Sequence, residues 1–150
     1  MPSSTFAHEI HVSANRDQCW QTITDVSQVA SWISIVGDVH ENEHLKSYNA
    51  VLEDRLGPFR LRADLDIKVS DVVEGHQLHA HAEGEDRQVR SQIMIDGDLR
   101  LEAEDDAIKI IIDGSYEVSG RVATLGSSTI NSKAQKTIDE FLENLSRELS

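Results

Sequence analysis

The sequence predicts an α+β fold, a curved antiparallel sheet wrapped around a long C-terminal helix, with two short helices after the first strand. Three observations lead there. Apolar residues recur at every second position through most of the stretch from Gly37 to Ser119, the spacing of strands with one buried face. From Ile130 onward they recur at intervals of three and four, the spacing of one helical stripe. At 150 residues the chain can build one sizeable core and not two, so residues 1–150 are read as a single domain.

Phe6, His8, Ile10 and Val12 alternate with Ala7, Glu9, His11 and Ser13 and make the first strand. Asn15 stands where a side-chain oxygen can accept from the first turn of a short helix through Cys19, Trp20 and Ile23, and Asp25 stands likewise before a second helix carrying Val26, Val29, Ala30, Trp32 and Ile33, which Gly37 ends. Tyr48, Ala50 and Leu52 then alternate with polar neighbours up to a turn at Gly57-Pro58. Beyond it Phe59, Leu61, Ala63, Leu65, Ile67 and Val69 face one way, and Arg60, Arg62, Asp64, Asp66 and Lys68 the other. Gly75 breaks this strand. Leu78, Ala80 and Ala82 form the next, and Ile93, Ile95, Leu99 and Leu101 another, with a bulge expected at Gly97. The acidic turn Glu104-Asp105-Asp106 leads into Ile108, Ile110, Ile112, Gly114, Tyr116 and Val118. Ile130, Ala134, Ile138, Phe141, Leu142, Leu145 and Leu149 give the last helix its apolar stripe, opposite Lys133, Lys136, Asp139, Glu140 and Glu143. An antiparallel sheet with one apolar face must cover that face, and this helix supplies the cover.

Acidic residues number 27 against 14 basic ones, a net charge of −13. Such a field repels phosphate-rich partners, so neither nucleic acid nor an anionic bilayer surface is expected to bind. Residues 83–113 hold ten acidic and four basic residues, which makes this stretch a solvated outer face or a docking surface for a basic partner. Cys19 is the one cysteine, so no internal disulfide can form, and the N-terminal stretch has no secretory pattern; a cytoplasmic location is expected. No apolar run approaches the roughly 20 residues needed to cross a bilayer, so membrane contact is expected to be peripheral at most.

This order of elements is the helix-grip architecture. At the junction before the last helix, the stretch from Val118-Ser119-Gly120-Arg121 through Val122-Ala123-Thr124-Leu125-Gly126, followed by Ile130, Ala134, Ile138 and Phe141, resembles the family of the carbon monoxide dehydrogenase G subunit, within the START-like (SRPBCC) superfamily. Cys19-Trp20 with Asp25 resembles the family's Val-Trp and Asp near the first helix, and Leu56-Gly57-Pro58-Phe59 its Gly-Pro turn. The likeness runs over residues 5–146. Where the family commonly has Pro-Gly after the second helix, this chain has Val36-Gly37, so the turn lacks its φ-fixing residue. Some members continue into a hydrophobic C-terminal anchor, whereas this sequence ends at Ser150.

The residues offer little for catalysis or metal binding. His76, His79 and His81 match no standard zinc spacing and no cysteine joins them, so no metal is expected and the histidines are read as solvated on the outer face. His40 and His44 lie near a turn beside Glu41 and Glu43 and are read as exposed. No nucleophile elbow, phosphate loop or inward carboxylate pair is present. What remains is the space between the sheet and the last helix, where Trp32, Phe59, Leu61, Met94, Tyr116, Val122, Ile130 and Ala134 are the expected lining, with His8 as a polar group on the same face. The resemblance implies a non-enzymatic accessory protein that holds a lipid- or quinone-like hydrophobic molecule there, without a cofactor, and that works beside the subunits of a molybdenum-containing hydroxylase. Two alternatives stay open: a START-like cyclase, dehydratase or hydrolase using His8 or Tyr116 as acid or base on an apolar or polycyclic substrate, and a docking module whose interior is filled by its own side chains.

Overall fold

The computed structural model describes residues 3–150. Strands run over Ser3–Val12 (β1), Val36–Glu43 (β2), Ser47–Leu56 (β3), Phe59–Val73 (β4), Gln77–Asp86 (β5), Ser91–Glu104 (β6) and Ala107–Gly120 (β7). Two short helices, Arg16–Ile23 (α1) and Val26–Ser31 (α2), follow β1, and a 3-10 turn over Arg121–Leu125 leads into the long helix Ser127–Leu149 (α3). All seven strands form one antiparallel sheet in the order β1-β7-β6-β5-β4-β3-β2. This is the helix-grip α+β fold expected from the sequence. Among the described residues no helix is long and apolar enough to cross a membrane.

Local chemistry accounts for the short helices. Gln18 N donates to Asn15 Oδ1 (2.9 Å) and Asn15 N donates to Gln18 Oε1 (3.2 Å), a reciprocal cap that satisfies two donors at the start of α1. The helix then buries Cys19, Trp20 and Ile23. Burial pushes the Cys19 thiol above its ordinary value, against the opposing pull of the Arg16 charge. Asp25 caps α2 by accepting from Gln28 N (3.3 Å). α2 stops at Ser31 and Gly37 lies inside β2, so the expected helix through Ile33 is too long. Trp32 N and Ile33 N donate to Val29 O and Ala30 O (3.1 and 3.0 Å), a tightened last turn. A further turn, closed by Val36 N donating to Ile33 O (3.0 Å), then leads into β2, where the β-branched Val36 and Val39 favour extended chain.

Two buried clusters hold the layers together. One joins Val12, Cys19, Trp20, Leu101, Ile110, Leu145 and Leu149, where α1 and the C-terminal end of α3 close on β1, β6 and β7. The other joins Leu52, Leu61, Ala63, Leu65, Val118, Val122 and Ile130, where the N-terminal end of α3 and the 3-10 turn close on β3, β4 and β7. At the far edge of the sheet β2 is irregular, with register shifts between Gly37 and His40 and between Glu41 and Glu43. The expected bulge at Gly97 is absent: β6 keeps an unbroken register with both neighbours.

Arg16 ties α1 to two hairpins. Its guanidinium donates to Gly75 O (2.7 Å) and Leu101 O (3.1 Å) and lies 3.4 Å from His76 Nδ1. Arg16→Ala leaves two carbonyls without their charged donor and is expected to lower stability by about 1–3 kcal/mol, read as a lower urea midpoint with an unchanged slope.

Candidate functional site

Strand register decides which side chains face α3. On β4 through β7 the inward positions include Leu61, Ala63, Leu65 and Ile67; Ala80, Ala82 and Gly84; Ile93, Ile95 and Gly97; and Ile112, Gly114 and Tyr116. On β1 they are Phe6, His8, Ile10 and Val12. In a close-packed layer the middle of a sheet face is its most buried part. Here the gradient is reversed: residues at the two ends are fully buried, while Ile67, Ala80, Ala82, Ile95, Gly97, Gly114 and Tyr116 between them are only half-buried. Ala134, Ile138 and Phe141 on the facing side of α3 are also half-buried. Sheet and helix therefore pack fully at both ends, and the less closely covered middle, where these side chains keep partial solvent exposure, is termed the hollow.

The floor of the hollow is a row of small residues. Ala80, Gly97 and Gly114 stand side by side across β5, β6 and β7, and the larger Phe6 ends the row on β1. A Cβ built on Gly97 meets nothing nearer than Asp113 O at 3.9 Å, so its missing side chain is open volume. Gly114 differs: a Cβ there would fall 2.0 Å from Asp96 O and 2.9 Å from Phe6 Cζ. The backbones of β6 and β7 approach closely at this point as the sheet bends, which a glycine alone permits.

The underside of α3 has two seams. Along one, polar side chains tether the helix: Lys133 Nζ donates to Asp54 Oδ1 (3.3 Å), Ser34 N donates to Glu140 Oε1 (2.6 Å), Asn144 Nδ2 donates to Trp32 O (3.1 Å) and Gln28 Nε2 donates to Glu148 Oε1 (3.2 Å). Trp32 also packs on Phe141, ring centroids 6.3 Å apart. At the other side Asn131 Oδ1 accepts from Tyr116 Oη. Sequence reasoning missed Asp54 and Asn131. The available signal was Asp54 itself, a carboxylate at an apolar-parity position between Leu52 and Leu56, with a side chain only 16 % exposed.

The expected lining residues divide into three groups. Tyr116, Ala134 and His8 face the hollow, Trp32 is half-buried against Phe141, and Phe59 lies half-buried at the start of β4, on the far side of the buried Leu61, Ala63 and Leu65. Leu61, Val122 and Ile130 are fully buried in the cluster that closes one end. Met94 is a correction: it pairs with Glu83 and Glu117 on the convex side and is 43 % exposed. Period two puts it opposite in phase to the inward Ile93 and Ile95. His8 stands across from Ile112 and Tyr116 across from Ser4, four residues apart along the strands or about 13 Å. The two candidate acid–base groups are therefore not brought together.

On the convex face, His79 and His81 are engaged with carboxylates rather than freely solvated. At the acidic β6–β7 turn, Glu104 lies near His11 (3.4 Å) and Lys109 (3.9 Å), while Asp105 and Asp106 are exposed.

In sequence, residues 9–150 match the family described as the G subunit of carbon monoxide dehydrogenase (CoxG). The chain belongs to this family. No curated protein matches the chain. The CoxG chain is similar in fold to a conserved protein from Geobacillus kaustophilus (19 % identity, 97 % of this chain and 95 % of that one, TM-score 0.83). It is also similar to a protein from Thermus thermophilus (10 % identity, 97 % of each chain, TM-score 0.71). DynU16, described as a putative protein in the dynemicin biosynthetic locus, matches 97 % of this chain with 46 % of its own length at 19 % identity and TM-score 0.57. Identities this low establish the fold and nothing further.

The two glycines of the floor give a paired prediction. Gly97→Ala is expected to leave the urea midpoint close to wild type, because its Cβ enters open space. Gly114→Ala is expected to destabilise by about 1–3 kcal/mol, because the backbone of β6 must move to admit the methyl group.

Proposed function

We propose that this CoxG-family protein is a non-enzymatic accessory protein that binds an apolar small molecule, lipid- or quinone-like, in the hollow under α3. The observation that carries this reading is the reversed burial gradient, in which apolar residues at the centre of the concave face stay reachable by solvent. Water in contact with Ile67, Ile95, Tyr116, Ala134 and Ile138 gains few partners there, and its replacement by an apolar ligand is favourable by about 25 cal/mol per Å² of apolar surface covered. Trp32, Phe59, His8, Tyr116 and Ala134 are the proposed ligand contacts, with Leu61, Val122 and Ile130 as the wall behind them. The family description, which names carbon monoxide dehydrogenase, supports a place beside a molybdenum-containing hydroxylase, in its assembly, its recruitment to a membrane by peripheral contact, or supply of the bound molecule. In this reading residues 1–150 act as one domain in the cytoplasm.

Entry and exit run along the polar seam of α3. The contacts of Glu140 with Ser34 and of Asn144 with Trp32 are exchanged for water at little net cost, whereas opening either apolar cluster exposes core. The segment from Trp32 to Ile35 and the turn at Gly57-Pro58 are the parts that move.

Native mass spectrometry of protein purified from its own host, with lipid extraction, is expected to show a bound apolar species. Protein that is consistently empty and has no affinity for quinones or lipids overturns the reading. Gly97→Leu is expected to fill the floor while keeping the fold, and to weaken binding of that species at least about tenfold, the effect of roughly 1.4 kcal/mol.

A further inference from the structure

The outer face of the sheet, directly behind the hollow, carries a network that the ligand reading does not use. β5 turns His79 and His81 outward, and β6 sets Asp98 and Asp96 across from them. His79 Nδ1 lies 2.8 Å from Asp98 Oδ1 and its Nε2 3.2 Å from Asp96 Oδ1. His81 Nδ1 lies 2.7 Å from that same Asp96 oxygen and its Nε2 3.0 Å from Glu83 Oε2. All four ring nitrogens therefore face carboxylate oxygens. A neutral imidazole has one donor nitrogen and one acceptor nitrogen, so it leaves an acceptor against an anion at each ring; the imidazolium donates at both.

The surroundings favour the same state. From β4, Lys68 stands opposite His81, Ser70 opposite His79, and Asp66 opposite Glu83. From β7, Ser115 stands opposite Asp96 and Asp113 opposite Asp98. Arg100 Nη2 lies 3.7 Å from Asp113 Oδ2. Lys68 and Arg100 are thus the fixed cations around five carboxylates, and two of the cross-strand pairs, Asp66 with Glu83 and Asp98 with Asp113, are like-charged, a destabilising arrangement.

We propose that His79, His81, Asp96, Asp98 and Glu83 form a proton-operated strap across β5 and β6. When both imidazoles are charged, they tie the strands together and stiffen the stretch of sheet whose other face carries Ala80, Ala82 and Gly97. When they lose their protons, the carboxylates repel and the strap slackens. Hydrogen bonding to Asp98, and next to Asp96, raises the pKa of His79 above the ordinary histidine value; bonding to Glu83 and Asp96 does the same for His81. Bonding to His81 holds Asp96 below the ordinary carboxylate value. The raised histidines contribute stability that is complete below the unfolded value of about 6.5 and is lost as pH climbs through their folded values. The lowered Asp96 contributes stability present above about 3.9 and lost as pH falls through its folded value. Between those limits the strap is tightest.

The strap belongs to the sheet itself, so its test needs no ligand. Amide hydrogen exchange on the ligand-free protein, corrected for intrinsic rates, is expected to show a larger loss of protection at residues 80, 82 and 97 than at residues 50 and 52 as the pH rises from about 5.5 to about 8, through the range in which the raised histidines lose their protons. The double variant His79→Gln with His81→Gln, on the solvent face, is expected to lose this difference while still folding. Asp96→Asn is expected to shrink it and to bring the two imidazole titrations, followed by NMR, down toward the free value. An identical pH profile in the double variant and the wild type, or a loss of protection spread evenly over the sheet, overturns the proposal.

Discussion

A single helix has to cover seven strands. α3 has 23 residues, which makes it about 35 Å long and about 10 Å wide, while seven strands spaced about 4.8 Å apart span roughly 29 Å. A flat sheet of that width would leave most of its apolar face in water, so the sheet has to curl around the helix. The curl is what forces the backbones of β6 and β7 together at Gly114, and it is what makes the order of strands begin and end at opposite rims of the same trough. Sheet and helix are in full contact at the two ends, through the clusters around Leu145 and around Ile130, and cover the residues between them only partly.

The asymmetry of α3 gives this geometry a direction. Ile130, Leu145 and Leu149 are fully buried at the ends of the helix, whereas Lys133, Glu140 and Asn144 reach sideways to Asp54, Ser34 and Trp32. Apolar packing resists opening in proportion to area, while polar contacts at a solvent boundary exchange with water readily. The polar side of α3 is therefore the boundary that exchanges with water more readily, and its apolar ends are the more resistant. Cys19 belongs to the cluster at the C-terminal end of α3, fully buried with its thiol pushed up by that burial.

Much of the fold was legible in the sequence because its elements obey strict periods. Phe59 to Val69 and Ile108 to Val118 alternate almost without fault, and Ile130 to Leu149 keeps a helical stripe. The 3-10 turn over Arg121–Leu125 was not legible, since part of its support comes from Ser91, whose buried hydroxyl accepts from Val122 N (2.9 Å) across a distance of 31 residues. The end of α2 was misplaced because Trp32 and Ile33 continue the helical spacing while their N–H groups have already turned inward on a tighter bond. The hollow itself lies beyond local pattern: Ala80, Gly97 and Gly114 sit on three strands and become one row only through register. Met94 is opposite in phase to Ile93 and Ile95, and that phase, rather than its apolar character, decides its face.

The irregular rim at β2 bears on how copies of this chain behave in company. An open sheet exposes the hydrogen-bonding groups of its outermost strands, and a straight, apolar one is a template on which a second molecule can add. β2 shifts register twice within eight residues and points Asp38, Glu41 and Glu43 into solvent. Two such edges cannot zip together over any length, and their charges oppose the attempt. The part of the sheet that packs least regularly is thus the part that keeps crowded molecules from polymerising edge to edge.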